Sequence, residues 1–110
     1  MHITDVPFGV SDWSNLHEAT LPGATGTVSQ RLFEQGNIRV RMVRYSPGYL
    51  ADHWCERGHV LLVLEGELTT ELSDGSLHVL RPGMSYQVAD GAAPHRSRTG
   101  TAGAMLFIVD

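Results

Sequence analysis

The sequence predicts an all-β domain, a sandwich or a barrel, from three observations. The chain has 110 residues, which is room for one domain with a single modest core. Short runs with the alternation of strands recur at roughly ten-residue spacing. The chain has 12 glycines, many of which stand between these runs. Three of them form Pro-Gly pairs, which favour tight turns. The pairs are Pro22-Gly23, Pro47-Gly48 and Pro82-Gly83.

The predicted elements follow one another closely along the chain. A helical stretch of one or two turns at 12–18 precedes six strands, at 37–42, 59–64, 67–72, 77–80, 84–88 and 104–109. Asp74 and Gly75 supply a hairpin turn after the third of these strands. The strand at 59–64 is apolar on both faces. Because a barrel of this size buries only one of them, the pattern predicts a homodimer.

The strand at 37–42 alternates apolar residues with arginines, so one face is expected to be buried and the other wet. We assign Arg39, Arg41 and the nearby Arg44 to the wet face, with an anion-binding site as the alternative. Tyr86 shares parity with Met84 on its own strand. It is expected either to line the interior as a hydrogen-bonding partner of a substrate or to be an ordinary core residue.

Composition excludes several classes of function. All eight cationic side chains are arginines, so chemistry that needs a lysine amine is excluded, including Schiff bases and the phosphate-binding P-loop lysine. The net charge is −4 and the arginines form no run, which argues against nucleic acid as a partner. The longest apolar run, 60–64, is too short to span a bilayer. The chain start does not resemble a signal peptide, and the single cysteine is typical of the reducing cytoplasm.

His2, His17 and His78 are expected to be solvated, whereas His53 and His59 lie on either side of the single cysteine, Cys55. His53 and Cys55 are two residues apart on one predicted strand, so their side chains are expected to project from the same face. His59 opens the next strand with the parity of core residues. Imidazole and thiolate are ligands for Zn²⁺, Ni²⁺, copper and iron. Spacing alone leaves open a metal site or a buried histidine pair beside an inert thiol.

Two longer motifs resemble those of the cupin superfamily. The first runs Gly48-x4-His53-x-Cys55-x3-His59-x6-Gly66, and the second runs Gly83-x5-Ala89-Asp90-Gly91-x3-His95-x3-Thr99. Together they cover about half of the chain. Within the superfamily, Asp52-His53-Trp54-Cys55 resembles the small group of DHCW-motif cupin-fold proteins, although the order here is D-H-W-C. The resemblance implies a single small cupin domain over 1–110, a double-stranded β-helix or jelly-roll barrel.

The resemblance also implies a metal site inside the barrel. His53 takes the place of the first histidine of the family motif, Cys55 that of the second, and His59 that of the glutamate. His95 is the histidine of the second motif and joins the ligand set only through the resemblance. The loss of the carboxylate and the gain of a thiolate soften the site, so Zn²⁺ is the expected ion, with Ni²⁺, iron or copper as alternatives.

Three hypotheses for function follow. The first is a metal-dependent enzyme with three protein ligands and an open position for a small-molecule substrate. The second is a non-catalytic ligand- or metal-sensing module, in which a four-ligand tetrahedral site would be structural. The third is a metal-free barrel that uses Cys55 as a redox or nucleophilic thiol. The sequence does not identify a substrate.

Overall fold

The computed structural model describes all 110 residues and is almost entirely β. A three-residue 3-10 helix, Trp13–Asn15, precedes seven strands. The strands are β1 Glu18–Pro22, β2 Thr27–Gln35, β3 Ile38–Tyr45, β4 His59–Leu72, β5 Leu77–Leu80, β6 Ser85–Val88 and β7 His95–Val109. No helix is long and apolar enough to cross a membrane.

All the strands pair antiparallel, in the order β1-β2-β3-β7-β4-β5, and β6 pairs with the first half of β4. The two longest strands hold the barrel together because each pairs along most of its length with the other. The first half of β4 faces the last third of β7, and the second half of β4 faces the beginning of β7. One layer contains β1, β2, β3 and β6, and the other contains β5. β4 and β7 each contribute one part to the first layer and another part to the second.

The pairing of β4 with β7 is irregular where the strands pass from one layer to the other, between Val63 and Leu68. Gly66 lies at this corner with φ +76°, and Gly103 on the facing strand has φ +66°. A Cβ atom at Gly66 would collide with the carbonyl oxygen of Gly103. Glycine is therefore required here both for backbone conformation and for the close approach of two main chains.

The core lies between the layers, and the segment before β1 covers part of the outside. Eight buried apolar residues form the core: Val43, Leu61, Val63, Leu68, Leu80, Ala104, Leu106 and Ile108. Outside, the ring of Trp13 packs edge-on against Phe107 at 6.3 Å between centroids. The guanidinium of Arg31 donates to the carbonyl oxygens of Trp13, Ser14 and Leu16, which fastens this segment to β2.

The all-β class is confirmed, and the strand predicted at 77–80 has the observed bounds. The strands predicted at 59–64 and 67–72 are two halves of β4, and the last strand begins nine residues earlier than predicted. The only helix, the 3-10 turn Trp13–Asn15, lies within the stretch 12–18 where the sequence predicts one or two helical turns at most, whereas β1 and β2 are not predicted at all. β2 is mostly polar and does not show the apolar alternation of a buried strand, and β1 is an edge strand of only five residues, too short to give a clear pattern.

Candidate metal centre

Three side chains with metal-binding atoms meet at one end of the barrel: Cys55, His59 and His95. His59 is the first residue of β4 and His95 the first residue of β7. Cys55 precedes β4 and forms an isolated antiparallel bridge with His95. One potential ligand atom from each residue lies within 4.8 Å of the others. The strand ends therefore bring together residues that are up to 40 positions apart in the sequence.

The two imidazoles face one another through their Nε2 atoms, which are 3.1 Å apart. Nδ1 of His95 lies 2.8 Å from the carbonyl oxygen of Ala93. Because a carbonyl only accepts, Nδ1 carries the proton in neutral His95, and Nε2 presents a lone pair to His59. His95 is thus oriented as a metal-binding histidine is, with its second nitrogen fixed by the main chain.

Without a metal ion, neither neutral tautomer of His59 suits both Asp110 and His95. Its Nδ1 is buried without a hydrogen-bond partner, and the nearest acceptor is a carboxylate oxygen of Asp110 at 3.7 Å. A proton on Nδ1 suits that carboxylate but leaves two Nε2 lone pairs facing each other. A proton on Nε2 suits His95 but turns a bare lone pair toward the carboxylate. A cation between the two Nε2 atoms removes the conflict.

The donor set fits a divalent transition-metal ion. Two nitrogens bound at about 2.0–2.1 Å to a tetrahedral ion lie roughly 3.3 Å apart, close to the 3.1 Å separation observed. Two imidazoles and a thiolate form a borderline-soft set that suits zinc, nickel or copper better than magnesium. Cys55, His59 and His95 could therefore hold such an ion with three protein ligands.

Burial favours the neutral form of His59, which is the form that binds a metal ion. Its side chain is only 6% exposed, and burial, followed by the neighbouring His95, lowers the pKa of His59 from 6.5 to about 4. The imidazole is therefore neutral at physiological pH, as a metal ligand must be. Tyr86 lies on the same side, with its hydroxyl 2.9 Å from Nε2 of His59. Burial also raises the pKa of Tyr86, so this hydroxyl keeps its proton.

His53 lies outside the cluster. Its side chain is 76% exposed, and its Nδ1 is 2.6 Å from the carboxylate of Asp52. The prediction of a regular strand through His53 and Cys55 is wrong, because the chain bends at Asp52 and His53 between isolated bridges at Leu50 and Cys55. Spacing by two therefore does not place the two side chains together. A ligand role for His53 stays a prediction.

The arginines of β3 are where the sequence interpretation needs correction. Arg39 and Arg41 line the barrel cavity rather than the solvent face, and only Arg44 is exposed. Asp110 pairs with Arg39 through the main chain in both directions. Its carboxylate, 1% exposed, accepts two hydrogen bonds from Arg39 at 2.9 and 3.1 Å and one from Arg41 at 3.0 Å.

Asp110 is a site residue that sequence reasoning missed. Burial raises the pKa of its carboxyl, but the hydrogen bonds from Arg39 and the charges of Arg41 and Arg39 outweigh burial, so the pKa lies below its usual value. The carboxylate is therefore charged at neutral pH, beside Nδ1 of His59. No motif marks this residue, and only the pairing of β3 with β7 places it here.

The cluster opens into a cavity of about 400 Å³. Cys55, His59, His95 and Tyr86 line it, and so does the exposed His53. Tyr45 and Tyr49 also line it, and their rings stack in parallel with centroids 4.3 Å apart. The cavity is within the size range of sites for small molecules. The expectation that Tyr86 lines the interior agrees with this arrangement.

The fold is shared by many solved structures, although no family model and no curated protein matches the sequence. A cupin-2 domain protein from Rhodospirillum rubrum is 16% identical, with a TM-score of 0.71 over 96% of this chain and 76% of that one. A cupin-superfamily protein from Silicibacter pomeroyi, named a sugar phosphate isomerase, is 21% identical, with a TM-score of 0.70 over 92% and 74%. A cupin_2 domain of an XRE family transcriptional regulator from Enterobacter cloacae is 16% identical, with a TM-score of 0.62 over 74% and 93%.

These likenesses show that the chain has the cupin fold, so the resemblance seen in the two sequence motifs is confirmed at the level of the fold. The Cys55, His59 and His95 group fits a metal-binding cupin. Closer membership of the DHCW-motif group stays a prediction.

Proposed function

We propose that this cupin binds a divalent transition-metal ion through Cys55, His59 and His95 and acts on, or binds, a small molecule in the adjoining cavity. The observation that carries the proposal is the 3.1 Å approach of two imidazole Nε2 atoms, one of which belongs to a neutral His59 with an orphaned Nδ1. Without a cation, a proton on Nδ1 of His59 leaves Nε2 of His95 without a donor, whereas a proton on Nε2 of His59 leaves its Nδ1 lone pair facing the carboxylate of Asp110. With a cation, every polar atom of the pair has a favourable neighbour.

An open site is favoured over a closed one. Three protein donors converge, and His53, the candidate for a fourth, is exposed and paired with Asp52. Three protein ligands with a free position are typical of catalytic metal sites, whereas structural zinc sites have four. All three residues line the cavity, so a small molecule that enters the cavity can reach them.

A bound ion would supply Lewis acidity at this position. The side chains around the ion have roles of their own. Asp110 lies on the Nδ1 side of His59 and favours a proton there, which directs the Nε2 lone pair toward His95. Tyr86 donates its hydroxyl proton to Nε2 of His59 when the ion is absent and is free to bind a ligand when the ion is present.

Zn²⁺ is the ion we propose, with nickel, iron and copper as alternatives. A zinc ion takes imidazole and thiolate together in tetrahedral sites and does not oxidise the thiolate. Iron with oxygen would expose Cys55 to oxidation. We propose that the protein is located in the cytoplasm. In that reducing compartment, the half-buried thiol of Cys55 would stay reduced and available to bind the ion.

The main alternative is a ligand-sensing module. It draws support from the Enterobacter neighbour, which is part of a transcriptional regulator, whereas the Silicibacter neighbour is named an isomerase. The fold therefore hosts both kinds of function and does not choose between them. In a third alternative, a metal-free thiol protein, an N–H···N hydrogen bond would join the two imidazoles, but Nδ1 of His59 would stay buried without a hydrogen-bond partner.

Metal analysis of the purified protein tests the proposal. We expect close to one equivalent of a divalent transition metal, and a loss of at least about a hundredfold in affinity in Cys55→Ser and His59→Gln. His53→Ala is the matched control, because it removes an exposed imidazole from the same segment. A metal-free protein, or equal loss in His53→Ala and Cys55→Ser, contradicts the three-residue site.

We also propose that the protein is a homodimer through the outer face of the sheet. The first half of β4 presents Val60, which is 43% exposed, and Leu64, which is 37% exposed, to the outside. The half-buried Leu62 lies between them. A row of apolar side chains of this kind is typical of a surface that a second copy covers.

A further inference from the structure

The charge of the cavity is unusual for a chain with a net charge of −4. Half of the eight arginines in the sequence line it, and none of its lining residues is acidic. These arginines are Arg39, Arg41, Arg57 and Arg96. A cleft lined by one sign of charge attracts ligands of the opposite sign.

The neighbouring carboxylates neutralise only part of this charge. Asp110 lies behind Arg39 and Arg41 and offsets one of the two. Glu71 accepts a hydrogen bond from Arg96 at 3.0 Å and offsets that residue. Arg57 has no ion-pair partner among the 110 residues. About two positive charges therefore remain without a counterion at the cavity.

Arg41 is the residue most clearly available to a ligand. It uses one of its five N–H groups, on Nη2, for Asp110. Its Nε is buried without a partner, and its side chain is only 18% exposed. A buried guanidinium donor without an acceptor destabilises the fold unless a ligand binds it. Asp110 fixes the direction of this guanidinium, so the remaining donors are already oriented.

The wall beside the arginines is aromatic and apolar. Tyr45 and Tyr49 form the parallel stack described above, and Val43, Leu61 and Ile108 also line the cavity. Burial raises the pKa of Tyr49 to about 12, so this phenol carries no negative charge that would oppose an anion. A ligand that fits this surface has one charged end and an apolar or aromatic body.

We infer that the cavity binds a small organic carboxylate, with its charged group on the guanidinium of Arg41, its body against Tyr45 and Tyr49, and Arg57 adding positive charge at the cavity. This inference rests on the proposed function and names the class of its small molecule. The planar fork of an arginine matches the two oxygens of a carboxylate. Inorganic phosphate is less favoured, because it has no apolar body to place against the aromatic and apolar lining.

Two matched probes, benzoate and its uncharged amide benzamide, test the inference in zinc-loaded and in metal-free protein. Titrations are followed by NMR of the ¹⁵N-labelled chain, where each arginine Nε–H gives its own signal. We expect benzoate to shift saturably the signal that is missing in Arg41→Lys, and to bind at least about tenfold more tightly than benzamide. Inorganic phosphate is the third probe and is expected to bind more weakly than benzoate.

Three variants keep the test decisive. Arg41→Lys retains the charge opposite Asp110, so the fold is preserved while the fork is lost; we expect about tenfold weaker benzoate binding. Arg57→Gln changes an exposed residue and is expected to weaken benzoate several-fold. Arg81→Lys changes an arginine that is 69% exposed and outside the cavity, and should leave binding unchanged.

The outcomes separate this inference from the metal proposal. Equal binding of benzoate and benzamide, tighter binding of phosphate, or no benzoate binding to protein that holds its zinc overturns the carboxylate assignment and leaves the metal site standing. Benzoate binding that depends on Arg41 in a protein unable to hold zinc overturns the metal site and leaves the carboxylate assignment standing.

Discussion

Cys55 and His95 exchange main-chain hydrogen bonds in both directions, at 2.8 and 2.9 Å. In an antiparallel pair of this kind the two side chains lie next to each other on the same face. The thiol and the imidazole are therefore neighbours because of the backbone, not because they attract each other. The main chain therefore holds these two side chains close together before any ligand binds.

Asp110→Asn tests the support behind His59. The change removes the negative charge of a carboxylate that is only 1% exposed and accepts three hydrogen bonds from Arg39 and Arg41. We expect the free energy of unfolding to fall by about 2 kcal/mol or more, measured by urea denaturation. Glu67→Gln is the control, since its pair with Arg81 is exposed and 3.6 Å long, and should change stability by less than about 1 kcal/mol. Equal effects of the two substitutions would contradict the structural role of Asp110.

The stability of the metal-free protein should depend on pH through His59. The unfolded imidazole takes up a proton near pH 6.5, whereas in the folded chain burial, followed by His95, lowers the pKa to about 4. Between these values unfolding binds a proton, so stability decreases as the pH falls from about 6.5 to about 4, by up to about 3 kcal/mol.

Chemical denaturation after chelator treatment, repeated at several pH values, measures this slope. His59→Gln should flatten it over the same window. His78→Gln, which changes an exposed histidine, should keep the slope of the original protein. An unchanged slope in His59→Gln would show that another group controls acid stability.

The corner of the barrel should tolerate no side chain at Gly66. Gly66→Ala adds a Cβ that collides with the carbonyl oxygen of Gly103, in a backbone with φ +76°. We expect a loss of at least about 3 kcal/mol in unfolding free energy, of which backbone conformation explains about 1. Gly75→Ala isolates that part, because Gly75 has φ +89° but open space around it. Thermal unfolding of both variants gives the comparison, and similar melting temperatures would mean that the close approach does not matter.

The outer face of the sheet should form a dimer interface. Light scattering after size-exclusion chromatography is expected to give twice the 12.0 kDa mass of the chain. Val60→Glu places a charge on that face and should shift the protein toward the monomer. Val79→Glu is the matched control, since Val79 is 41% exposed on β5, at the end of the strand order. A clean monomer of the original protein at high concentration would contradict the proposal.

Sequence reasoning found the residues of the site more easily than their surroundings. Cys55 and His59 followed from spacing and parity, and His95 from the family motif. Spacing also predicted His53, but its side chain lies apart from the other three, because a period of two holds only along a regular strand and the chain bends at Asp52 and His53. A bend of this kind leaves no clear signal in the sequence.

The arginines of β3 show a second limit of sequence reasoning. Alternation establishes that Arg39 and Arg41 share a face, but it does not establish which face is inside. Apolar residues at 38, 40 and 42 suggest the ordinary orientation, yet they lie on the outer face, where Met42 and Trp13 line the same surface depression. The interior accepts the arginines because Asp110, the residue after β7, pairs with Arg39 and places its carboxylate beside both side chains, a long-range pairing that the sequence does not reveal.

X-ray absorption spectroscopy of the purified protein, loaded with zinc, tests the central claim most directly. The account predicts one sulfur neighbour of the metal at about 2.3 Å and nitrogen or oxygen neighbours at about 2.0–2.1 Å. The sulfur signal should disappear in Cys55→Ser and persist in His53→Ala. A metal environment without sulfur in the original protein, or no stoichiometric uptake of metal, would contradict a site made of Cys55, His59 and His95.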